Sequence, residues 1–398
     1  MTYQNSPSVT ESWYFDEFSV ARYLPANTQM WRDPTNPYPL DVALLKAIAY
    51  ARLRNRARRI TLPPGFFSLV TTIDLRSRTG QNLQMLSVEG ASPSPDDTGL
   101  LSRDTHTCIT WEGANGADMF QLSRNQKLSG MILTAAAGKH LRAAIVWDAP
   151  PALDPGPIGT DVSVENVGVY GNNGLIDYGL LIGPTTGVPN LEHGTFKHCT
   201  FANAQIAAVK VASDTQQSKY HLFERCAFVS SPRGIDIVTG SVHVFHCFGA
   251  SCPILFVPGG QDTLRFDTVD SEDCGRFIDQ PAGFNAAPTP IVITNSRISC
   301  SPNMAADGGV MRFFHPGPIQ VEGCLFENAN VNPALVHILS SCAALSGVVP
   351  TIQTRGNVFL NNTPVRTSPA QSGTYWTTIG DMLFDATRIP SALDTFIP

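Results

Sequence analysis

The sequence predicts an all-β fold: a single-stranded parallel β-helix, or solenoid, closed at its N-terminal end by a capping helix. Three observations predict it. A short apolar pattern recurs every 21 to 33 residues through most of the chain. One segment alone carries a helical period. The composition, with 15% charged residues, 32 Gly and 30 Pro, suits short strands joined by turns and argues against bundles and coiled coils.

The same composition excludes several function classes. A hydrophobic share of 43% rules out a disordered chain. A formal charge of -6 gives no basic footprint for phosphate, so nucleic acid is not an expected partner. No apolar run reaches the roughly 18 residues of a membrane helix, so no membrane insertion is expected. The start, Met1 to Ser6, has no basic patch followed by an apolar core, so no secretory signal is expected.

Residues 1–39 are polar and aromatic and end in Trp31-Arg32-Asp33-Pro34-Thr35-Asn36-Pro37-Tyr38-Pro39, which reads as an arm or linker. The helix follows. Leu40, Ala43, Leu44, Ala47, Ile48 and Ala51 fall on one face, with Asp41 at the positive end. Arg52, Arg54, Arg56, Arg58 and Arg59 crowd the other end, as a solvated helix terminus does. After it the period changes. Arg59 to Phe67 reads as a strand stopped by Pro63-Pro64-Gly65.

The repeat is eight residues long at its core. Its members begin at Val162, Gly194, His221, Val242, Leu264, Ile291, Ile319 and Ile352, with Leu128 to Leu133 an earlier, weaker one. Positions one and three are mostly apolar and alternate with polar residues, as in a half-buried strand. Position five is Asn, His, Arg, Thr or Gly, in a bend. Positions six and eight turn inward again, small then large. Such a coil cannot bury its inner face alone and must stack on its neighbours. Cys199, Cys226, Cys247 and Cys324 share position six and form an internal ladder. Nine cysteines without a CxxC pair then need neither zinc nor disulfides, and no metal or cofactor is expected. Trp111, Trp147 and Tyr375-Trp376 lie outside the pattern.

The module Asp41 to Tyr50, followed by Arg59 to Phe67 and Thr72-Ile-Asp-Leu75, resembles the N-terminal cap of the pectate-lyase-like superfamily of right-handed β-helices. With the coils, the resemblance covers roughly residues 40–365, and it implies a right-handed parallel β-helix. Within that superfamily the chain looks most like phage tailspike and tail proteins, many of them homotrimers. The resemblance implies four regions: 1–39, an arm suited to virion attachment; 40–75, the helical cap and first strands; 76–365, the β-helix; and 366–398, a closing segment. No catalytic motif of polygalacturonases or pectate lyases carries over. The one Asp-Asp pair, Asp96-Asp97, has none of the companion motifs.

Candidate chemistry therefore comes from the outward repeat positions. Glycoside cleavage needs two carboxylates about 5 to 10 Å apart. Stacked coils are ~4.8 Å apart, so Glu224 and Asp267, two coils apart at position four, are separated by roughly 10 Å. They are the candidate acid and base. Phe245 lies between them as a platform for a sugar ring, and Lys197, His243 and Arg265 complete a substrate-binding groove. The competing reading is a solvated face of weak ion pairs. Asp267 to Asp273, with Asp279, forms the densest acidic stretch and reads as an acidic turn or a cluster of mutually repelling carboxylates.

The expected function is a phage tail spike or tail-fibre protein that binds, and in its enzymatic version cleaves, bacterial surface polysaccharide. Its expected setting is the virion tail, with other tail proteins as partners of the arm. A free extracellular carbohydrate-active enzyme (hydrolase or lyase) of the same superfamily and a purely structural virion protein are the two alternatives.

Overall fold

A computed structural model describes residues 17–53, 58–76, 86–93, 105–148, 161–172, 174–185, 191–213, 218–259, 262–280, 290–300, 309–314, 317–327, 336–340, 351–360, 366–367, 375–384 and 390–392. It is a right-handed parallel β-helix. Among the described residues two long sheets, of 25 and 11 strands, run the length of the coils, and one small two-stranded sheet joins two neighbouring coils. All their pairings are parallel except Met382–Phe384 with Pro390–Ala392.

Each coil bends the larger sheet at repeat position five. Thr195–Lys197 and Thr200–Ala202 flank one bend, His221–Glu224 and Ala227–Val229 the next. At that position Asn166, His198, Arg225, His246, Thr268 and Asn295 have φ between 49° and 54°, and Gly130, Gly323, Gly356 and Gly380 between 60° and 65°. This left-handed conformation turns the strand without breaking its stacking. Glycine adopts it freely and Asn readily, whereas other residues pay a steric penalty.

Positions one, three, six and eight face inward throughout, as the pattern predicts. Position three stacks Phe196 on Phe223 with ring centroids 4.6 Å apart, and position eight stacks Phe326 on Phe359 at 4.5 Å. Burying each such ring contributes about 1.5–3 kcal/mol.

Position six does more than fill space. The Cys226 N–H donates to the Cys247 Sγ at 3.3 Å, the Val269 N–H to the Ser296 Oγ at 3.1 Å, and the Cys324 N–H to the Asn357 Oδ1 at 2.9 Å. The Asn357 N–H donates to the Asp381 Oδ1 at 2.8 Å. Past a left-handed corner the backbone N–H points along the stack, and a small polar side chain from the next coil satisfies it. The thiols in turn donate to carbonyls one coil back: Cys199 to Val164, Cys226 to Phe196 and Cys247 to Phe223. Cysteine and its polar replacements at this position are thus chosen by hydrogen bonding as well as size.

A second ladder follows the next corner, where Asn203, Ser230, Ser251 and Asp273 have positive φ. There the Ala204 N–H donates to the Ser231 Oγ, and Cys252 donates to the Phe228 and Ala250 carbonyls. Cys274 is buried one coil on, in register with Cys300.

Trp111 and Trp147, outside the repeat pattern, are fully buried core residues at the ends of strands Thr107–Trp111 and His140–Trp147. Tyr375–Ile379 pairs with Thr351–Arg355 and sets Trp376 beside Ile352, so a further coil lies beyond residue 365. Its strand keeps the pattern, but a tryptophan and an aspartate at inward positions disguise it. At the other end Glu17–Ser19 and Tyr38–Pro39 already pair with Arg58–Thr61 and Gly65–Leu69.

The helix spans Asp41–Leu53 and buries the predicted face, Leu40 to Ala51, on the first coil. Asp41 accepts hydrogen bonds from the Val70 and Thr71 N–H groups, tying the cap to the coil. Of the arginines, Arg52 donates to the Asp74 carbonyl and Arg59 pairs with Glu89 at 2.6 Å, while Arg54 and Arg56 lie outside the described residues. Among the described residues no helix is long and apolar enough to cross a membrane.

Candidate functional site

Strand pairing fixes the outer row at position four. Lys197 lies beside Glu224, Glu224 beside Phe245, Phe245 beside Asp267. At position two His243 lies beside Arg265. The six sequence-predicted residues therefore share one face over four consecutive coils.

Their electrostatics are uneven. Lys197 Nζ lies 3.0 Å from Glu224 Oε2, and this hydrogen bond, aided by the Arg225 charge, holds the Glu224 carboxyl below its ordinary range. At Asp267 burial works to raise the carboxyl. The nearby Thr294 hydroxyl, hydrogen bonds from Thr268 and Asn295 and the Arg265 charge outweigh it, and the net shift is downward. Both groups are ionised at neutral pH, and neither carries the proton that a general acid needs. Phe245 is half-buried, edge-on to His246 at 4.1 Å and tilted toward His243 at 5.7 Å.

The acidic stretch is dispersed. Asp270 lies 3.5 Å from Arg297, and Asp273 occupies a left-handed corner. Asp279 accepts two bonds from Arg312, at 2.6 and 2.7 Å. Among the described residues no group of three or more His, Cys, Asp or Glu is placed to hold a metal ion.

A cavity of about 290 Å³ opens at the corner ahead of position one, lined by Lys219, Tyr220, Ser241, Val242, His243, Asp262, Thr263 and Arg265. Of the six predicted residues only His243 and Arg265 reach it. Lys219 Nζ is 4.0 Å from Asp262 Oδ1. His243 Nε2 and Asp262 Oδ2 are shielded from water and have no hydrogen-bond partner among the described residues. Burial, and then the Arg265 charge, pull the His243 imidazole below its ordinary range, so it is neutral at neutral pH. Tyr220 stands at the rim, 63% exposed, its ring stacked on His193 at 5.1 Å and 16°. Both residues have left-handed backbones, φ 59° and 60°. For a bulky aromatic that conformation is an outlier, and such outliers concentrate at functional sites.

Lys219, Tyr220 and Asp262 escape the repeat pattern because they precede position one, where coil lengths vary. The available signal was the pair His193 and Tyr220, each just before a repeat and each where a turn former would be expected. A second cavity, of about 500 Å³, is lined by Gly171, Asn172, Asn203, Ala204, Gln205, Ser230 and Pro232. It has no titratable lining group.

No protein-family model matches the sequence, and no curated protein matches it. Solved structures do. The Dettilon tailspike protein shares 12% identity at a TM-score of 0.55, over 97% of this chain and 71% of its own. The shared fold is the parallel β-helix. The catalytic domain of a GH87 alpha-1,3-glucanase, in complex with nigerose, matches this β-helix at 12% identity and a TM-score of 0.52, over 96% of this chain and 66% of the glucanase chain. The A-module of an Azotobacter vinelandii mannuronan C-5 epimerase matches it at 12% and 0.50, over 92% of this chain and 99% of the module. At such identities the likeness establishes the fold, and one fold hosts different chemistries.

Proposed function

We propose that this protein is a tailspike-type β-helix that binds polysaccharide on a bacterial surface through the outer face of the coils spanning residues 193–267. One observation carries the reading. The exposed Tyr220–His193 stack stands at the rim of a cavity lined by Lys219, Asp262 and Arg265, one coil from the Phe245 platform. Sugars present an apolar ring face to aromatics and hydroxyls to unpaired polar groups.

On this reading Lys197, Glu224, Phe245 and Asp267 continue the groove beyond the cavity. Glu224 and Asp267 are also the proposed acid and base of a cleaving version. At roughly 10 Å across two coils they have the wide spacing of an inverting pair. A bound sugar would have to draw Lys197 away from Glu224 before that carboxyl could take up a proton. The reading further assigns a homotrimer in the virion tail, attached through the N-terminal segment.

The test is co-sedimentation of the full chain with encapsulated and capsule-stripped bacteria, alongside reducing-end release from purified capsule and lipopolysaccharide. Binding to encapsulated cells is expected, with Tyr220→Ala weakening it by about tenfold, on the order of 1.4 kcal/mol. If reducing ends are released, Glu224→Ala or Asp267→Ala abolishes the release with folding intact. Absence of binding to any surface glycan removes the proposal, and unchanged turnover in both variants removes the catalytic assignment alone.

A further inference from the structure

The corner cavity has a charge and hydrogen-bond pattern of its own, distinct from the row beside it. Along the row cations are matched. Lys127 is 2.6 Å from Glu165, Lys197 is 3.0 Å from Glu224, and Arg355 is 3.8 Å from Glu322. Arg265 is exposed and has neither a hydrogen bond nor an ion pair among the described residues. Its near carboxylate, Asp267, accepts instead from Thr268 at 3.1 Å and Asn295 at 3.4 Å. Lys219, on the same cavity, meets Asp262 only at 4.0 Å.

The lining is of mixed character. Lys219 and Arg265 can only donate, and both carry positive charge. Asp262 can only accept; its Oδ2 is shielded from water, but its side chain is partly open. A neutral hexose would meet Asp262 but bring no charge to Lys219 and Arg265. An inorganic phosphate would meet the cations but make no use of the Tyr220 ring or of Asp262 as an acceptor. A sugar ring bearing a carboxylate answers all of these groups. Its acid meets the cations, its hydroxyls meet Asp262, and its apolar face lies against Tyr220.

We infer that this cavity is a recognition subsite for an acidic sugar residue, with its carboxylate on Arg265 and Lys219, its hydroxyls on Asp262 and its ring face on Tyr220. The inference rests on the polysaccharide-binding reading and names the substrate class of that face. Arg265 and Lys219 then set specificity, while Tyr220 supplies general affinity.

The experiment uses the full chain on an array of bacterial surface glycans. The array holds neutral glycans, carboxylate-bearing glycans, and each acidic glycan with its carboxyl groups reduced to alcohols. Acidic glycans are expected to bind best, and reduction to weaken them by about ten- to a hundredfold, the range for a hydrogen bond to a charged group. Arg265→Gln, at an exposed strand position, is expected to fold with an unchanged melting temperature. It should cause the same loss on the acidic glycans and little on their reduced forms, as a double-mutant cycle requires for a direct contact. Equal binding of neutral and acidic glycans would overturn the inference and leave the polysaccharide reading intact. So would an equal loss on both forms in Arg265→Gln. Binding to no glycan would overturn both.

Discussion

The corner at repeat position five and the corner ahead of position one make the same left-handed turn with different support. The first recurs from Gly130 to Gly380 and accepts Asn, His, Arg, Thr or Gly. Behind it stands the position-six ladder, which satisfies the backbone along the stack. The second takes a left-handed residue at Asp161, His193 and Tyr220. It is held by a two-residue pairing, Leu191–Glu192 with Ser218–Lys219, and by the Tyr220 N–H donating to the Ser241 Oγ at 2.7 Å. At the first corner the residue type varies widely and the surface carries paired charge. At the second, two aromatics are kept in a costly conformation beside a cavity. Departure from the repeat, more than any motif, marks the place where the chain spends stability on something besides folding.

The largest effect expected from breaking either corner lies beneath the second one. His221 is fully buried at position one, where most coils carry an aliphatic residue, with its Nε2 2.8 Å from the Ser218 Oγ and its ring edge-on to Trp147 at 5.0 Å. Burial, and then the neighbouring His193, push its imidazole down to about 3. The unfolded imidazole titrates near 6.5, so between those values the unfolded chain binds the extra proton. Stability is therefore fully present above about pH 6.5 and is lost as pH falls toward 3, by about 1.4 kcal/mol per unit at the steepest and on the order of 5 kcal/mol at most over the window. Urea midpoints measured from neutral pH down to about pH 4 should show this slope. His221→Val, which restores the residue type of Val162 and Val242, should flatten it even if stability at pH 7 falls. Parallel slopes in the two proteins would refute the assignment.

The ladder behind the first corner is tested next. Asn357 is fully buried and accepts from the Cys324 N–H while donating to the Val321 carbonyl and the Asp381 carboxylate, both at 3.0 Å. Asn357→Leu leaves those partners unmatched and should cost about 3–5 kcal/mol, read as a shift of the denaturant midpoint. Asn357→Ser keeps a donor and an acceptor, as Ser296 does at the same position, and should cost about half as much. If leucine is tolerated as well as serine, the ladder is packing alone.

Much of this was legible in the sequence because the repeat is a physical necessity. An inward apolar pair, a bend and a small inward residue identify eight coils, and Cys199, Cys226, Cys247 and Cys324 fall on the core side as their spacing implies. The second cysteine ladder, at Cys252 and Cys274, was not legible. It follows a corner whose distance from the first is set by backbone conformation, and Ser231 and Ala204 interrupt the residue type. The coil at Tyr375–Ile379 was hidden because Trp376 and Asp381 stand where the pattern calls for an aliphatic and a small residue. At the site, alternation placed Lys197, Glu224, Phe245, Asp267, His243 and Arg265 on one face, since strand geometry alone decides that. It could not bring in Lys219, Tyr220 and Asp262, because their convergence depends on how the chain turns before each strand. Nor could it show that Lys197 holds the Glu224 carboxyl, and Thr294, Thr268, Asn295 and Arg265 the Asp267 carboxyl, below their ordinary ranges.

The smallest expected effect separates the two corners most cleanly. Arg225 and Tyr220 lie five residues apart on one coil, with φ 52° and 59°. Both are exposed, so substitution removes little packing. Asparagine tolerates the left-handed region better than either, and the relief should amount to ~0.5 kcal/mol at each site. At Arg225 the change gives up a marginal 3.5 Å contact with His198 and a minor part of the charge that holds Glu224 ionised, and it should raise the melting temperature slightly while leaving glycan binding unchanged. At Tyr220 the same relief is partly offset by loss of the stack on His193, so stability should change little or rise, while binding falls by about tenfold, as a lost aromatic contact of roughly 0.5–1.5 kcal/mol implies. A gain in stability coupled to a loss of binding is the signature of strain held for function. Equal binding by Arg225→Asn and Tyr220→Asn would make the second corner merely an irregular version of the first.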